Sequence, residues 1–252
     1  MIKLEDNPYV YTEDELPQKS DSWLEFRRSG IGASEVPKIM GQLPPQWGGA
    51  FDVFLNKMGK PGNPPNKAME RGIIYEDKAR NYITNYLESK RLGKNSIHEI
   101  GTIDLSENIV EKKVKFQQLT VKYKDFNRIF ASFDGIDFNN KLILEIKCPK
   151  YENFVKFLKK PKLSKTYLTQ VQTQLMIANS HWGITKGIFA NYCPEGVIYT
   201  EKGETKAKNI RLVLLYVDLD EDITKNIEKT CKNFWSMVET NQYDKNWNEE
   251  LL

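Results

Sequence analysis

Ile129-Phe-Ala-Ser-Phe-Asp134-Gly-Ile-Asp-Phe138 and Lys141-Leu-Ile-Leu-Glu145-Ile-Lys147 are two strand-like runs joined by Asn139-Asn140. Asparagine tolerates a positive φ, so the spacing predicts a tight turn with the two asparagines at its centre. Counting outward sets Phe138 against Lys141, Asp134 against Glu145 and Ser132 against Lys147. Strand side chains alternate with a period of two, which puts Ser132, Asp134, Glu145 and Lys147 on one face.

Directly opposed side chains have Cβ atoms roughly 4.5 to 5.5 Å apart, where two like charges are destabilising unless something compensates them. A divalent cation would do so. Paired carboxylates suit Mg²⁺ or Mn²⁺, and Lys147 on the same face would orient a water and offset charge on a reacting phosphate. The pattern points to metal-assisted phosphodiester hydrolysis. It also fits a half-exposed hairpin whose lysine merely pairs with one of two carboxylates.

Glu76 bears on that choice. From about Asn66 to Leu92, Met69, Ile73, Ile83 and Leu87 form one apolar stripe. At about 100° per residue Glu76 falls near its centre, where a carboxylate is partly buried. Arg80 lies four residues on, so a simple i, i+4 ion pair is one explanation. The other is a helix packed on the sheet that delivers Glu76 to a metal site, with Arg80 holding it or touching substrate.

The flanking chain supplies the rest of an α/β pattern. Ser22 to Arg28 reads as a short helix, followed by the turn Ser29-Gly30-Ile31-Gly32-Ala33-Ser34. Ser34 is then expected to cap a helix with Pro37 in its first turn and Gly41 as its stop. Phe51, Phe54, Leu55 and Met58 mark another helix, ended by Gly59-Lys60-Pro61. Extended segments are expected around Ile97 to Ile103, Phe116 to Tyr123, Gly183 to Tyr192 and Arg211 to Val217, and helices at Tyr167 to Ala178 and from Ile223 to Val238. This order predicts a mixed central β-sheet flanked by helices, in a single domain over residues 1–252 whose first twenty residues form an acidic, irregular arm.

Composition bounds the reading without deciding it. A formal net charge of +3 over 252 residues neither requires nor excludes a polyanionic partner. Cys148, Cys193 and Cys231 are too few and too scattered for a four-thiolate cluster or a disulfide framework, so a reduced, cytoplasmic setting is expected. The acidic start has no apolar run, which predicts neither a secretory signal nor a membrane span.

These pieces resemble the PD-(D/E)xK nuclease superfamily, and together they resemble the phage lambda exonuclease family, also called YqaJ-type viral recombinases. The resemblance rests on Trp23-Leu-Glu-Phe-Arg27, Ile31-Gly-Ala-Ser34-Glu35, Tyr75-Glu76-Asp-Lys-Ala-Arg80, Ser132-Phe-Asp134-Gly135, Glu145-Ile-Lys147-Cys-Pro149, Tyr167-Leu-Thr-Gln170-Val-Gln172 and Phe189-Ala-Asn-Tyr192, in that order. Phe133 departs from it, standing where the superfamily name leads one to expect proline.

The resemblance implies a restriction-endonuclease-like core. It implies that Asp134, Glu145 and the Ile146 carbonyl bind Mg²⁺, with Mn²⁺ as a substitute, that Lys147 is the catalytic lysine, and that Glu76 and Gln170 complete the site. It assigns Arg27 and Ser34 to the 5′-phosphate of DNA, beside Ser132 and Arg80. The activity implied is 5′-to-3′ digestion of double-stranded DNA ends in a phage-type recombination system, giving 3′ overhangs for a single-strand annealing protein. A homo-oligomer, with a trimeric ring as one form, goes with it. Taken without the resemblance, Arg27 also fits a plain surface residue, Ser34 a plain cap, and Gln170 and Gln172 plain helix positions.

Two rivals share these residues: a structure- or sequence-specific endonuclease of the same fold, and a catalytically silent DNA-binding recombination protein. The second would usually have lost Asp134, Glu145 or Lys147. Lys156, Lys159, Lys160, Lys162 and Lys165, with Phe154, Phe157 and Leu158 among them, fit either a DNA-backbone rail or a solvated face. Phe234, Trp235, Tyr243 and Trp247 fit either core cover or a subunit contact.

Overall fold

A computed structural model describes residues 7–17, 20–60, 67–93, 101–105, 110–200 and 208–247. Its strands are β1 (Val10–Thr12), β2 (Ile31–Gly32), β3 (Thr102–Asp104), β4 (Gln117–Lys122), β5 (Ile129–Asp137), β6 (Leu142–Lys147), β7 (Lys186–Tyr199) and β8 (Lys208–Asp218). Its helices are α1 (Asp21–Arg28), α2 (Val36–Ile39), α3 (Ala50–Lys57), α4 (Lys67–Arg91), α5 (Tyr151–Lys159), α6 (Lys165–Trp182) and α7 (Glu221–Thr240). The strands form one mixed sheet in the order β1-β4-β5-β6-β7-β8-β3, with β2 added alongside β5.

The β5–β6 hairpin has the expected register, pairing Gly135 with Leu144, Ile136 with Ile143 and Asp137 with Leu142. Its turn differs. Lys141, not an asparagine, takes the positive φ, at 53°. The fully buried Asp137 carboxylate organises the turn by accepting from the Asn139 N–H at 2.9 Å and the Asn140 side chain at 2.7 Å. Both asparagines are thereby free to bind the preceding segment at Lys112 and Lys113.

A second difference moves the site. Phe133 pairs with Leu119 while Ile136 pairs with Gln117, so β5 carries one extra residue between these pairs. This bulge breaks the alternation. Ile129, Ala131, Phe133 and Ile136 all enter one core, and Ser132 turns to the other side, where its hydroxyl meets Thr120 at 2.9 Å. Ser132 therefore does not share a face with Glu145, contrary to the sequence count. Phe133, 1 % exposed, is a core residue on the face covered by α6.

β6 and β7 are parallel neighbours, which requires a crossover, and α5 and α6 supply it. Helices α6 and α7 cover one sheet face over the larger core. Helix α4 covers the other with Ala79, Ile83, Tyr86 and Leu87 against Leu142, Leu144 and Ile146. The apolar stripe expected along α4 holds at Ile83 and Leu87 but fails at Ile73, which is 50 % exposed; the side chain of Met69 lies outside the described residues. The reason is position: Arg71 donates to the Pro149 carbonyl at 2.9 Å, so the first turns of α4 lie past the end of β6.

The acidic arm is not irregular throughout, because β1 pairs antiparallel with β4. The first part of the extended segment expected from Ile97, residues 97–100, and Pro61 of the expected helix stop lie outside the described residues. Phe234, Trp235 and Trp247 are buried, and Tyr243 packs on Phe51 and Phe54, so these aromatics cover the core. The three cysteines are free and buried. Among the described residues, no helix is long and apolar enough to cross a membrane.

Candidate active site

The bulge and the hairpin together create an opening. β2 lies along β5 at Ile129 and Phe130, β6 along Gly135 to Asp137, and between them β5 lacks a ladder partner on that side. Asp134 sits in this gap. Its Oδ2 accepts from the Ile146 N–H at 2.7 Å, replacing the strand contact that ends at Gly135 and Leu144.

Glu145, 2 % exposed, faces α6 and is saturated by donors. Oε1 accepts from Lys147 Nζ and from Gln170 Nε2 at 2.7 Å, and Oε2 from Gln174 Nε2 at 2.6 Å. Gln170 and Gln174, one helical turn apart, thus grip both carboxylate oxygens, and the Tyr167 ring on the same face lies 5.6 Å from Lys147 Nζ. Gln172 does something else: it binds the Asp218 carbonyl at 2.7 Å and the Asp220 N–H at 2.9 Å, tying α6 to the start of α7.

From the opposite layer, α4 contributes Glu76 and Arg80. Arg80 donates to the Asp134 carbonyl at 2.6 Å, to Glu76 at 2.7 Å and to Asp77 at 2.7 Å, so one guanidinium fastens α4 to the bulge. The i, i+4 pair is present, and the same arginine holds Glu76 next to the bulge. Gln118 also reaches Glu76, at 3.3 Å.

Electrostatics mark this as a place short of positive charge. Burial, then the Glu145 and Glu76 charges, push the Asp134 carboxyl well above its usual range, against Lys147 and the Ile146 N–H. Burial also raises Glu76, with Arg80 opposing and Glu145 and Asp77 adding. For Lys147, burial acts downward, but Glu145 and Asp134 more than offset it and hold the amine protonated.

A divalent cation fits this chemistry, because two carboxylates and a carbonyl leave room for the waters and phosphate oxygens that Mg²⁺ retains. Asp134, Glu145 and the Ile146 carbonyl are the donors that could hold it. No three acidic, histidine or cysteine side chains among the described residues converge on one ion, and Glu76 stays with Arg80.

Arg27 and Ser34 flank β2. The Ala33 N–H bonds the Phe130 carbonyl at 2.8 Å, so the exposed Ser34 follows directly where β2 leaves β5. Ser34 is not the helix cap: Glu35 precedes the four-residue α2, and its carboxylate turns back to the Gly32 N–H at 2.8 Å. Glu35 also binds Lys57 Nζ at 2.7 Å and lies 3.3 Å from the Arg27 guanidinium, which covers the Trp23 ring at 5.0 Å. Burial would raise the Glu35 carboxyl, but Lys57 and Arg27 hold it down to about 2. Lys57, its side chain wholly buried, donates to the Arg27 carbonyl at 2.7 Å as well.

Gln118, Gln174, Glu35 and Lys57 escaped the sequence reading as site residues. Gln174 had a signal, its i+4 spacing from Gln170. Lys57, thirty residues from Arg27, had none.

Residues 22–181 match the model of the YqaJ-like viral recombinase domain. The chain belongs to the YqaJ-like viral recombinase family. Within it, a curated relative is the uncharacterized protein YqaJ of Bacillus subtilis (strain 168), 24 % identical over 155 residues, which are 62 % of this chain and 41 % of the relative. The chain therefore matches less than half of that relative's length. Among solved structures, an alkaline exonuclease from Laribacter hongkongensis, LHK-Exo, aligns over 88 % of this chain and 94 % of its own at 18 % identity, with a TM-score of 0.62. The same enzyme in complex with dAMP gives 0.61. This likeness makes the recombinase-family chain a member of the same fold, with its mixed sheet between helical layers.

Proposed function

We propose that this protein is a divalent-metal-dependent deoxyribonuclease that digests double-stranded DNA from its ends in the 5′-to-3′ direction, leaving 3′ single strands for an annealing protein. The observation that carries the reading is the gap in β5, where Asp134, Glu145 and the protonated Lys147 lie together. Membership of a viral recombinase family and a fold shared with an alkaline exonuclease support it.

Asp134, Glu145 and the Ile146 carbonyl would hold Mg²⁺ or Mn²⁺. The bound ion supplies Lewis-acid stabilisation of phosphate charge and a more acidic water. Lys147 orients the attacking water and offsets charge on the non-bridging oxygens. Water adds to phosphorus as the bond to the 3′ oxygen breaks, releasing a 5′-mononucleotide. Gln170 and Gln174 fix Glu145, and Arg80 fixes Asp134 and Glu76, so these groups need no reorganisation during reaction. A ring-forming homo-oligomer would keep such an enzyme on its strand.

The test is digestion of end-labelled linear duplex beside a covalently closed circle. Loss of the linear duplex with Mg²⁺, none in chelator, and an intact circle are expected. Cutting of the circle would replace the exonuclease with an endonuclease, and inertness on both would remove the enzymatic reading.

Arg27 carries the end-directed part. It is the half-buried member of a triad whose other two charges are buried, and Ser34 is exposed nearby in sequence. Wild-type protein is expected to digest 5′-phosphorylated duplex about tenfold or more faster than 5′-hydroxyl duplex, since a charge-assisted hydrogen bond contributes roughly 1.5 to 3 kcal/mol. Arg27→Ala should erase most of that preference. Equal rates on the two ends in the wild type would show that Arg27 and Ser34 do not read the terminal phosphate.

A further inference from the structure

Residues 150–165 carry Lys150, Lys156, Lys159, Lys160, Lys162 and Lys165 against a single acid, Glu152. That is a net of +5 in a chain whose total is +3, so everything outside this run sums to −2. Residues 112–128 match it, with six bases against Asp125, so what sets the 150–165 run apart is its place beside the site.

The fold turns these lysines outward. Phe154, fully buried, and Leu158, 4 % exposed, pin α5 to Cys193, Val197, Ile210 and Val213, while the Phe157 ring lies 6.2 Å from Phe189. The apolar residues that interleave with the lysines are therefore anchors. All six lysines are exposed, and none pairs with a carboxylate among the described residues, whereas Lys57, Lys90, Lys225 and Lys232 each do. Unpaired like charges on one short helix and its following loop repel one another, a cost that a polyanion relieves.

The run is also joined to the site at both ends. Lys150 follows Lys147 by three residues, and Lys165 precedes by two the Tyr167 whose ring lies 5.6 Å from Lys147 Nζ.

We propose that the exposed face from Lys150 to Lys165 is the track on which the phosphodiester backbone of duplex DNA lies as it approaches Asp134, Glu145 and Lys147. This rests on the nuclease reading and adds the surface that holds the substrate. Each phosphate neutralised by a lysine releases counterions, so affinity through this face falls with salt, with a slope of about −0.9 per contact.

The experiment measures binding of a blunt duplex, and of a single strand of equal length, by fluorescence anisotropy across a salt series in Ca²⁺. It compares wild type, a variant with Lys156→Gln, Lys159→Gln and Lys160→Gln, and a control with Lys225→Gln, Lys229→Gln and Lys232→Gln on α7. The α5 variant should bind duplex about tenfold or more weakly at low salt, and its salt slope should fall by about 2 to 3 units, as three lost contacts require. The control should match wild type. Cleavage of thymidine 5′-p-nitrophenyl phosphate, too small to reach the track, should be equal in all three.

An unchanged slope in the α5 variant overturns the track, as does an equal loss in the control. A loss confined to the single strand reassigns the face to the product and likewise overturns it. Hydrolysis by wild type in parallel samples with Mg²⁺ in place of Ca²⁺ separates these outcomes from failure of the nuclease reading, which would show as no cleavage of either substrate.

Discussion

Lys147→Ala is expected to lower turnover of linear duplex DNA by about 10²- to 10⁴-fold, the range spanned by loss of a positioned proton-transfer or charge-stabilising group. The amine lies on Glu145 and is kept protonated by Glu145 and Asp134. Its removal deletes the cation proposed to orient water while leaving both carboxylates in place. The loss should therefore fall on kcat, with DNA affinity little changed and Mg²⁺ bound at least as well, since the acidic cluster has lost a competitor. Glu145 keeps Gln170 and Gln174, so the metal-free variant should lose no more than about 3 kcal/mol, the lower end for breaking a buried pair. Steady-state kinetics with a melting curve in Mg²⁺ would check this. Turnover near wild type in a folded variant would remove Lys147 from the chemistry.

Asp134→Asn should abolish hydrolysis and, without metal, make the protein more stable. The native carboxyl is pushed up by burial and by Glu145 and Glu76, so its ionised form is held at a cost. Asparagine keeps an oxygen for the Ile146 N–H and has no charge. A raised carboxyl pKa gives stability that is present below the unfolded value, about 3.9, and lost as pH rises through the folded one. The variant's advantage is therefore largest at neutral pH and shrinks on acidification. For a chain of this size each kcal/mol gained raises Tm by about 2 to 4 °C. Mg²⁺ should raise the Tm of wild type and not of the variant. A lower Tm in the variant, with its Mg²⁺ response retained, would show that Asp134 is neither strained nor a ligand.

Much of the fold was legible because it rests on local periodicity. The hairpin register followed from counting outward from Asn139-Asn140, and survived even though Lys141 takes the positive φ, because loop length rather than the residue in it sets the pairing. The bulge was not counted, yet it left a mark. A glycine inside a strand signals a bulge or a close approach, and a Cβ on Gly135 would sit 2.8 Å from that of Phe116. Overlooking it put Ser132 on the wrong face. Glu35 and Lys57 meet across 22 residues with no period to connect them, so only the folded chain could reveal that pair. Ser34 has the residue type of a cap, but Glu35 takes that position without a side-chain capping bond, its carboxylate being held by Gly32, Lys57 and Arg27.

The hydrogen bond from the Ile146 N–H to Asp134 gives the site its own reporter. An amide proton bonded to a carboxylate shifts downfield, and the shift moves when that oxygen is shared with a cation. The backbone resonance of Ile146 should therefore follow metal loading directly, without DNA and without turnover. Ile146 lies in the β6–β7 ladder beside Ala190, so the same titration should reach the Ala190 resonance while those of α7 stay still. Magnetic resonance on the metal-free protein could thus separate an ion that enters this gap from one that binds elsewhere on an acidic surface.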